Sequence, residues 1–212
     1  MPHLLGLTLD IICGVSWMLC YSFIIIRGFR DKTYGMPFLA LAFNISWELL
    51  FATVLNDGKF IYTVVARACV VLDLVILFTY FKYGIKEWPR RLSPKFFYPF
   101  SIAVLGLTLA FIYLWCKTID PSGTYMAYIQ NLMMSLLFIN MLNNRSSLAG
   151  QSVGIAFTKM IGTLAATLVY LYLRMKFIVF AGGLIFCLDM IYLLMVFNEG
   201  RLVWPFRLKL RS

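Results

Sequence analysis

The sequence predicts an all-α, polytopic membrane protein. It reads as a seven-transmembrane helix bundle forming one domain over residues 1–212, with the N-terminus outside and the C-terminus cytoplasmic. Three observations carry this reading. Of the 212 residues, 62% are hydrophobic and 13% charged, where soluble domains carry about a quarter charged. The apolar residues gather into seven runs, each near the roughly 20 residues that span a ~30 Å hydrocarbon core. The basic residues between the runs are unevenly shared between the two sides.

The runs are 5–26, 36–55, 60–81, 97–116, 124–142, 152–173 and 177–197. No basic stretch precedes the first, so it reads as a mature span and not a cleaved signal. The second contains AFNISWELLF (42–51), an apolar stretch interrupted by Glu48. The third carries Arg67 and Asp73, the sixth Lys159 and the seventh Asp189. In the fifth, Tyr128, Asn131 and Ser135 recur at i, i+3 and i+7, a polar seam suited to helix packing. The connections are short and polar, leaving no room for a soluble domain.

The net charge of +10 does not point to nucleic acid, because its distribution follows topology. With the N-terminus outside, connections 27–35, 82–96 and 143–151 and the tail from 198 hold 13 Lys and Arg, against four on the other side. That bias places the C-terminus in the cytoplasm and the basic residues against anionic headgroups of the lipid bilayer. Five cysteines fall in or beside spans without a CxxC pair, and read as small buried packing residues. The single histidine, His3, lies at the chain start. No metal site and no cofactor are expected, and nothing in the chain specifies a protein partner.

Ionisable side chains at membrane depth are costly; they pair with one another or mark function. Five qualify: Glu48, Arg67, Asp73, Lys159 and Asp189. Helical rise places Glu48 and Asp189 each about 18 Å from opposite ends of their spans, so their depths differ by only about 6 Å. One bound molecule near the midplane is within reach of both. Asp73 and Lys159 share a level, and an Asp73–Lys159 ion pair is the first structural expectation. Arg67 either snorkels outward or pairs with Glu48, and Lys159 has Asp189 as a second choice. Asn44 shares a helix face with Glu48 and is expected to hydrogen-bond it. Phe186 and Tyr192 flank Asp189 at three residues, and Trp17, Tyr21 and Trp47 add aromatic surface.

A carboxylic acid in low dielectric resists ionisation and can serve as a proton donor at neutral pH. Aromatic faces stabilise cations without offering a nucleophile. An acid, an aromatic wall and dry surroundings suit protonation of an isoprenoid alkene or epoxide followed by carbocation cyclisation. The same acids also suit a seven-helix proton-coupled transporter or receptor, the alternative from another functional class. A retinal protein needs a Schiff-base lysine, and the seventh span has none. A purely structural scaffold leaves the midplane charges unexplained.

Four stretches resemble the integral membrane terpene cyclases of meroterpenoid and indole-diterpene pathways, the paxilline and pyripyropene type. They are DKTYGMPFLALAFNISWELLFA (31–52), QNLMMSLLFINML (130–142), GQSVGIAFTKMIGTL (150–164) and LDMIYL (188–193). The resemblance implies a seven-helix bundle without a metal, acting on a prenylated small molecule. It implies that Glu48 and Asp189 are the essential acids, supported by Asn44 and Trp47. The soluble-cyclase signatures DxDD and DDxxD are absent, which favours protonation over diphosphate loss as the trigger. The first span starts almost at once, so the membrane is left open between a bacterial plasma membrane and a fungal endoplasmic reticulum.

Overall fold

The computed structural model describes residues 3–55, 60–145 and 147–199. Among these, seven α-helices form: α1 (His3–Asp31), α2 (Phe38–Ala52), α3 (Phe60–Tyr83), α4 (Phe97–Thr118), α5 (Thr124–Arg145), α6 (Val153–Tyr172) and α7 (Lys176–Asn198). Short 3-10 turns at Gly84–Glu87 and Pro94–Phe96 join α3 to α4. Six helices are long and apolar enough to cross a membrane. The exception is α2. Pro37 fixes its start, and it ends at Ala52, where the Thr53 and Leu55 amides fold back onto the Leu50 carbonyl. Its 15 residues rise about 22 Å, so the expected span 36–55 is shorter as a helix than the sequence suggests. Conversely, α1 continues to Asp31, five residues beyond the apolar run, where Arg27 and Asp31 pair at 2.9 Å one turn apart.

The chain is a multi-pass membrane protein with an inverted surface. Large apolar side chains such as Leu107, Leu114, Phe100 and Phe180 face outward, while Asn44, Asp73, Ser135, Lys159 and Asp189 are buried. Polar groups inside and apolar groups outside is the arrangement a hydrocarbon solvent selects. The helices close a ring in the order α2, α3, α1, α6, α7, α5 and back to α2, with α4 packed outside against α2. Small residues allow the close approaches. Gly162 of α6 lets the Trp17 ring of α1 come within 3.0 Å of where a Cβ would stand.

Both ends of the ring are tied. At one end, Arg145 pairs with Glu87 at 2.9 Å and donates to the carbonyls of Tyr34 and Ala149, both at 2.9 Å. Asp31 accepts the Gly150 amide at 2.8 Å. Gly150 has φ +74°, and a Cβ there would stand 2.7 Å from the Tyr34 carbonyl oxygen, so two connections press backbone to backbone. Burial first, then the neighbouring Glu87, pushes the Tyr34 hydroxyl up to about 12, so it stays a neutral partner in this knot. At the other end, Trp47 of α2 donates through Nε1 to the Gly123 carbonyl at 3.0 Å.

Candidate active site

Two polar clusters occupy the interior. The first joins α1, α2 and α3. Asn44 donates both amide hydrogens, to the Tyr21 hydroxyl and to Asp73 Oδ2, each at 2.7 Å. Asp73 is fully buried and its Oδ1 has no hydrogen-bond partner. Glu48, one turn beyond Asn44, is partly exposed. The groups acting on it are Asp73 and the thiol of Cys69, both on α3; Cys13 of α1 also faces it. Among the described residues no cation pairs with either acid of this cluster.

The second cluster joins α5, α6 and α7. Lys159 Nζ donates to Asp189 Oδ1 at 2.8 Å, to Oδ2 at 3.0 Å and to Ser135 Oγ at 2.7 Å. Ser135 Oγ also contacts Asp189 Oδ1 at 2.8 Å. Lys159 and Asp189 are both fully buried, so the pair neutralises itself within the protein. An aromatic bridge links the clusters. Lys159 Nζ lies 6.0 Å from the Trp17 ring centre, and the Trp17 and Tyr21 rings are 5.7 Å apart. Tyr21 then meets Asn44, which completes a chain from Asp189 to Asp73 through α1.

Several expectations change accordingly. The expected Asp73–Lys159 ion pair does not form. Lys159 takes Asp189, because α6 packs beside α7 while α1 stands between α6 and α3. Equal depth placed the groups on one level and said nothing about which helices are neighbours. Arg67 does not reach Glu48. It lies exposed, with Nε 3.4 Å from the Ala52 carbonyl, one of the orphan acceptors at the end of α2. Asn44 shares a face with Glu48 but spends its hydrogens on Tyr21 and Asp73, so Asp73 is the acid it orients. Glu48 and Asp189 stand in separate clusters, on either side of Trp17 and Tyr21.

The remaining candidates are placed as follows. The Tyr128 hydroxyl lies 3.1 Å from Thr167 Oγ1, and Asn131 donates to Thr163 at 2.8 Å. With Ser135 they form the expected seam, directed at α6 and α7. Phe186 is partly buried against the main core. Tyr192 is buried and donates to Gln151 at 2.9 Å, which turns it away from Asp189 toward the α5–α6 connection. Trp47 stacks on Phe51 at 4.4 Å, beside the Gly123 turn and apart from the acid cluster. Cys187 is exposed, contrary to the reading of every cysteine as buried. Cys69, read from the sequence only as a packing cysteine, lies four residues before Asp73 on the same face of α3 and beside the acids. Among the described residues, no three His, Cys, Asp or Glu side chains gather as metal ligands.

Comparison with known proteins agrees with the resemblance. The model of the Pyr4-like transmembrane terpene cyclases matches residues 3–208. The Pyr4-family terpene cyclase mfmH of Annulohypoxylon moriforme is 30% identical over 168 residues, covering 76% of this chain and 69% of that protein. Terpene cyclase ascF of Acremonium egyptiacum is 40% identical over 75 residues, covering 35% of this chain and 27% of its own length. Terpene cyclase pyr4 of Aspergillus fumigatus is 22% identical over 153 residues, covering 71% of this chain and 64% of its own. The chain thus matches about two thirds or less of the length of these relatives. No solved structure matches it. With a family model spanning nearly the whole chain, a ring of apolar helices and an interior built around three acids, this protein belongs to the Pyr4-like transmembrane terpene cyclases.

Proposed function

We propose that this chain cyclises a prenylated small molecule by protonating its terminal alkene or epoxide, without a metal or cofactor, and then guides the carbocation to ring closure. One observation carries this reading: Glu48 is a partly exposed carboxyl with no cation on it among the described residues, whereas Asp189 is occupied by Lys159. A proton donor needs an accessible acid in its neutral form, and low dielectric without a counter-charge favours that form. Glu48 is therefore the donor. The proton goes to the terminal alkene carbon or the epoxide oxygen, and the electron deficit appears at the neighbouring tertiary carbon. Trp17 and Tyr21 supply ring faces beside the acid, suited to a migrating positive charge.

Asp189 acts through Lys159. The pair fixes the ammonium beneath Trp17 and so holds the aromatic wall. Asn44 holds Tyr21 and Asp73 in one plane of contact, and Trp47 anchors α2 to the opposite end of the bundle. The substrate enters from the bilayer, which suits a lipid-like prenyl chain. The proton released on quenching the last cation returns to the site, so substrate and product are isomers. The named relatives are fungal, which favours the endoplasmic reticulum membrane over a bacterial plasma membrane.

The test uses membranes containing this chain, incubated with prenylated aromatic or dipeptide substrates, with and without a terminal epoxide, in excess EDTA. The expected result is a product of unchanged mass and shifted retention. Glu48→Gln keeps the shape and removes the acidic proton; turnover should fall at least 10²-fold, the usual scale for losing general acid catalysis. Turnover that EDTA abolishes and Mg²⁺ restores overturns the mechanism, as does near-normal product from Glu48→Gln.

A further inference from the structure

We propose that Asp73 is the second carboxyl of the proton-donating site, a positioning residue that acts through Glu48 by exchanging a proton with it. The proposal rests on the reading of Glu48 as the donor. Asp73 is fully buried, yet among the described residues the only donor on its carboxyl is the Asn44 amide on Oδ2, and Oδ1 has no partner. An orphaned buried oxygen calls for an explanation, such as a site for a transferable proton or a bridging water. The groups facing this cluster are Tyr21 and Cys13 from α1, Asn44 and Glu48 from α2, and Cys69 from α3 itself. None is a cation. Two carboxylates in one low-dielectric site cannot both be ionised, and with no positive charge at hand among the described residues, on this proposal the resting pair holds two protons.

This arrangement answers a problem inherent in the chemistry. Once Glu48 has given its proton to the substrate, a carboxylate stands beside a carbocation and can quench it early. If Asp73 passes the proton on its Oδ1 to Glu48, Glu48 is neutral again and the negative charge moves to Asp73. There the Asn44 N–H on Oδ2 stabilises it, and hydrogen bonds to an ionised acceptor are about twice as strong as neutral ones. The base next to the cation is then removed until cyclisation is complete. At the end, a C–H proton of the last cation passes to the free carboxyl oxygen of Glu48 as the Glu48 O–H proton returns to Asp73. Each transfer moves one proton, and the cycle consumes none. Asp189 cannot take this part, because both of its oxygens accept from Lys159.

The first test is infrared absorption of the purified protein in detergent at pH 7, in the carbonyl region of protonated carboxyls above the amide band. Wild type should show bands for two such acids, one missing in Asp73→Asn and the other in Glu48→Gln. This readout needs no turnover, so it stands even if Glu48 is not the donor. The second test is product composition. Asp73→Asn keeps the shape and an acceptor for Asn44; it should lower kcat at least tenfold with KM within about twofold, and shift the mixture toward early-quenched, incompletely cyclised isomers. Asp73→Glu should restore part of the full product. An unchanged spectrum in folded Asp73→Asn overturns the proposal, as does a wild-type product mixture from it. Failure of Glu48→Gln to lose activity, with both infrared bands present, would instead overturn the donor assignment.

Discussion

At the residue scale, the decisive distinction is between an acid with a cation and acids without one. Lys159 and Asp189 are fully buried partners, and removing one member of a buried pair strands the other charge. Lys159→Met is therefore expected to cost about 3–5 kcal/mol, read as a lowered midpoint of thermal unfolding in detergent. The double variant Lys159→Met/Asp189→Leu should recover most of that stability. Activity should not follow. Without the ammonium beneath Trp17, turnover should stay low in the stable double variant and also in Asp189→Asn. Wild-type product from either would reduce Asp189 to a packing residue. The sequence exposed the five charges deep in the spans, because each breaks an apolar run. It did not expose their pairing. Depth puts Asp73 and Asp189 both at the level of Lys159 and ranks Asp73 first, because residue depth carries no information on the order of helices around the ring.

At the scale of elements, helix existence was legible and helix length was not. Residues 36–55 are apolar at nearly every position, yet the helix within them starts only after Pro37 and ends at Ala52. Apolar composition says what hydrocarbon tolerates, not where hydrogen bonding stops. The contacts between helices depend on small residues that composition also hides. Gly182 of α7 lies against Thr167 of α6, where a Cβ would come within 2.3 Å of Thr167 Oγ1. Thr167 has little freedom to give way, since its hydroxyl is held by the Thr163 carbonyl at 2.7 Å and lies 3.1 Å from the Tyr128 hydroxyl. Gly183, one residue on, would meet nothing within 4 Å. Gly182→Ala should therefore destabilise by about 1–3 kcal/mol, the usual cost of overpacking. Gly183→Ala, on an open face, should be neutral or slightly stabilising through its helix propensity. Equal thermal midpoints for the two variants would refute the close α6–α7 approach.

At the scale of the molecule, the number of crossings fixes where the termini lie, and short α2 is the helix on which that number turns. Its about 22 Å falls below the ~30 Å of a bilayer core. A helix that short either crosses a locally thinned bilayer or dips in and returns. The contacts favour crossing. The start of α2 lies at the end of the bundle where Tyr34, Glu87 and Arg145 meet. Near its far end, Trp47 bonds the Gly123 carbonyl and Phe51 packs against the same turn, which joins α4 to α5. So α2 reaches from one end to the other, which favours seven crossings, and the termini are then expected on opposite sides. The 13-to-four excess of Lys and Arg then predicts the absolute orientation, with the connections around Arg27, Lys86 and Arg145 expected in the cytoplasm. A reporter active only outside the cytoplasm should be silent when fused after Lys32 or after Ser212, and active when fused after Leu55, following two crossings. The same reading after Lys32 and after Leu55 would mean that α2 turns back within the bilayer.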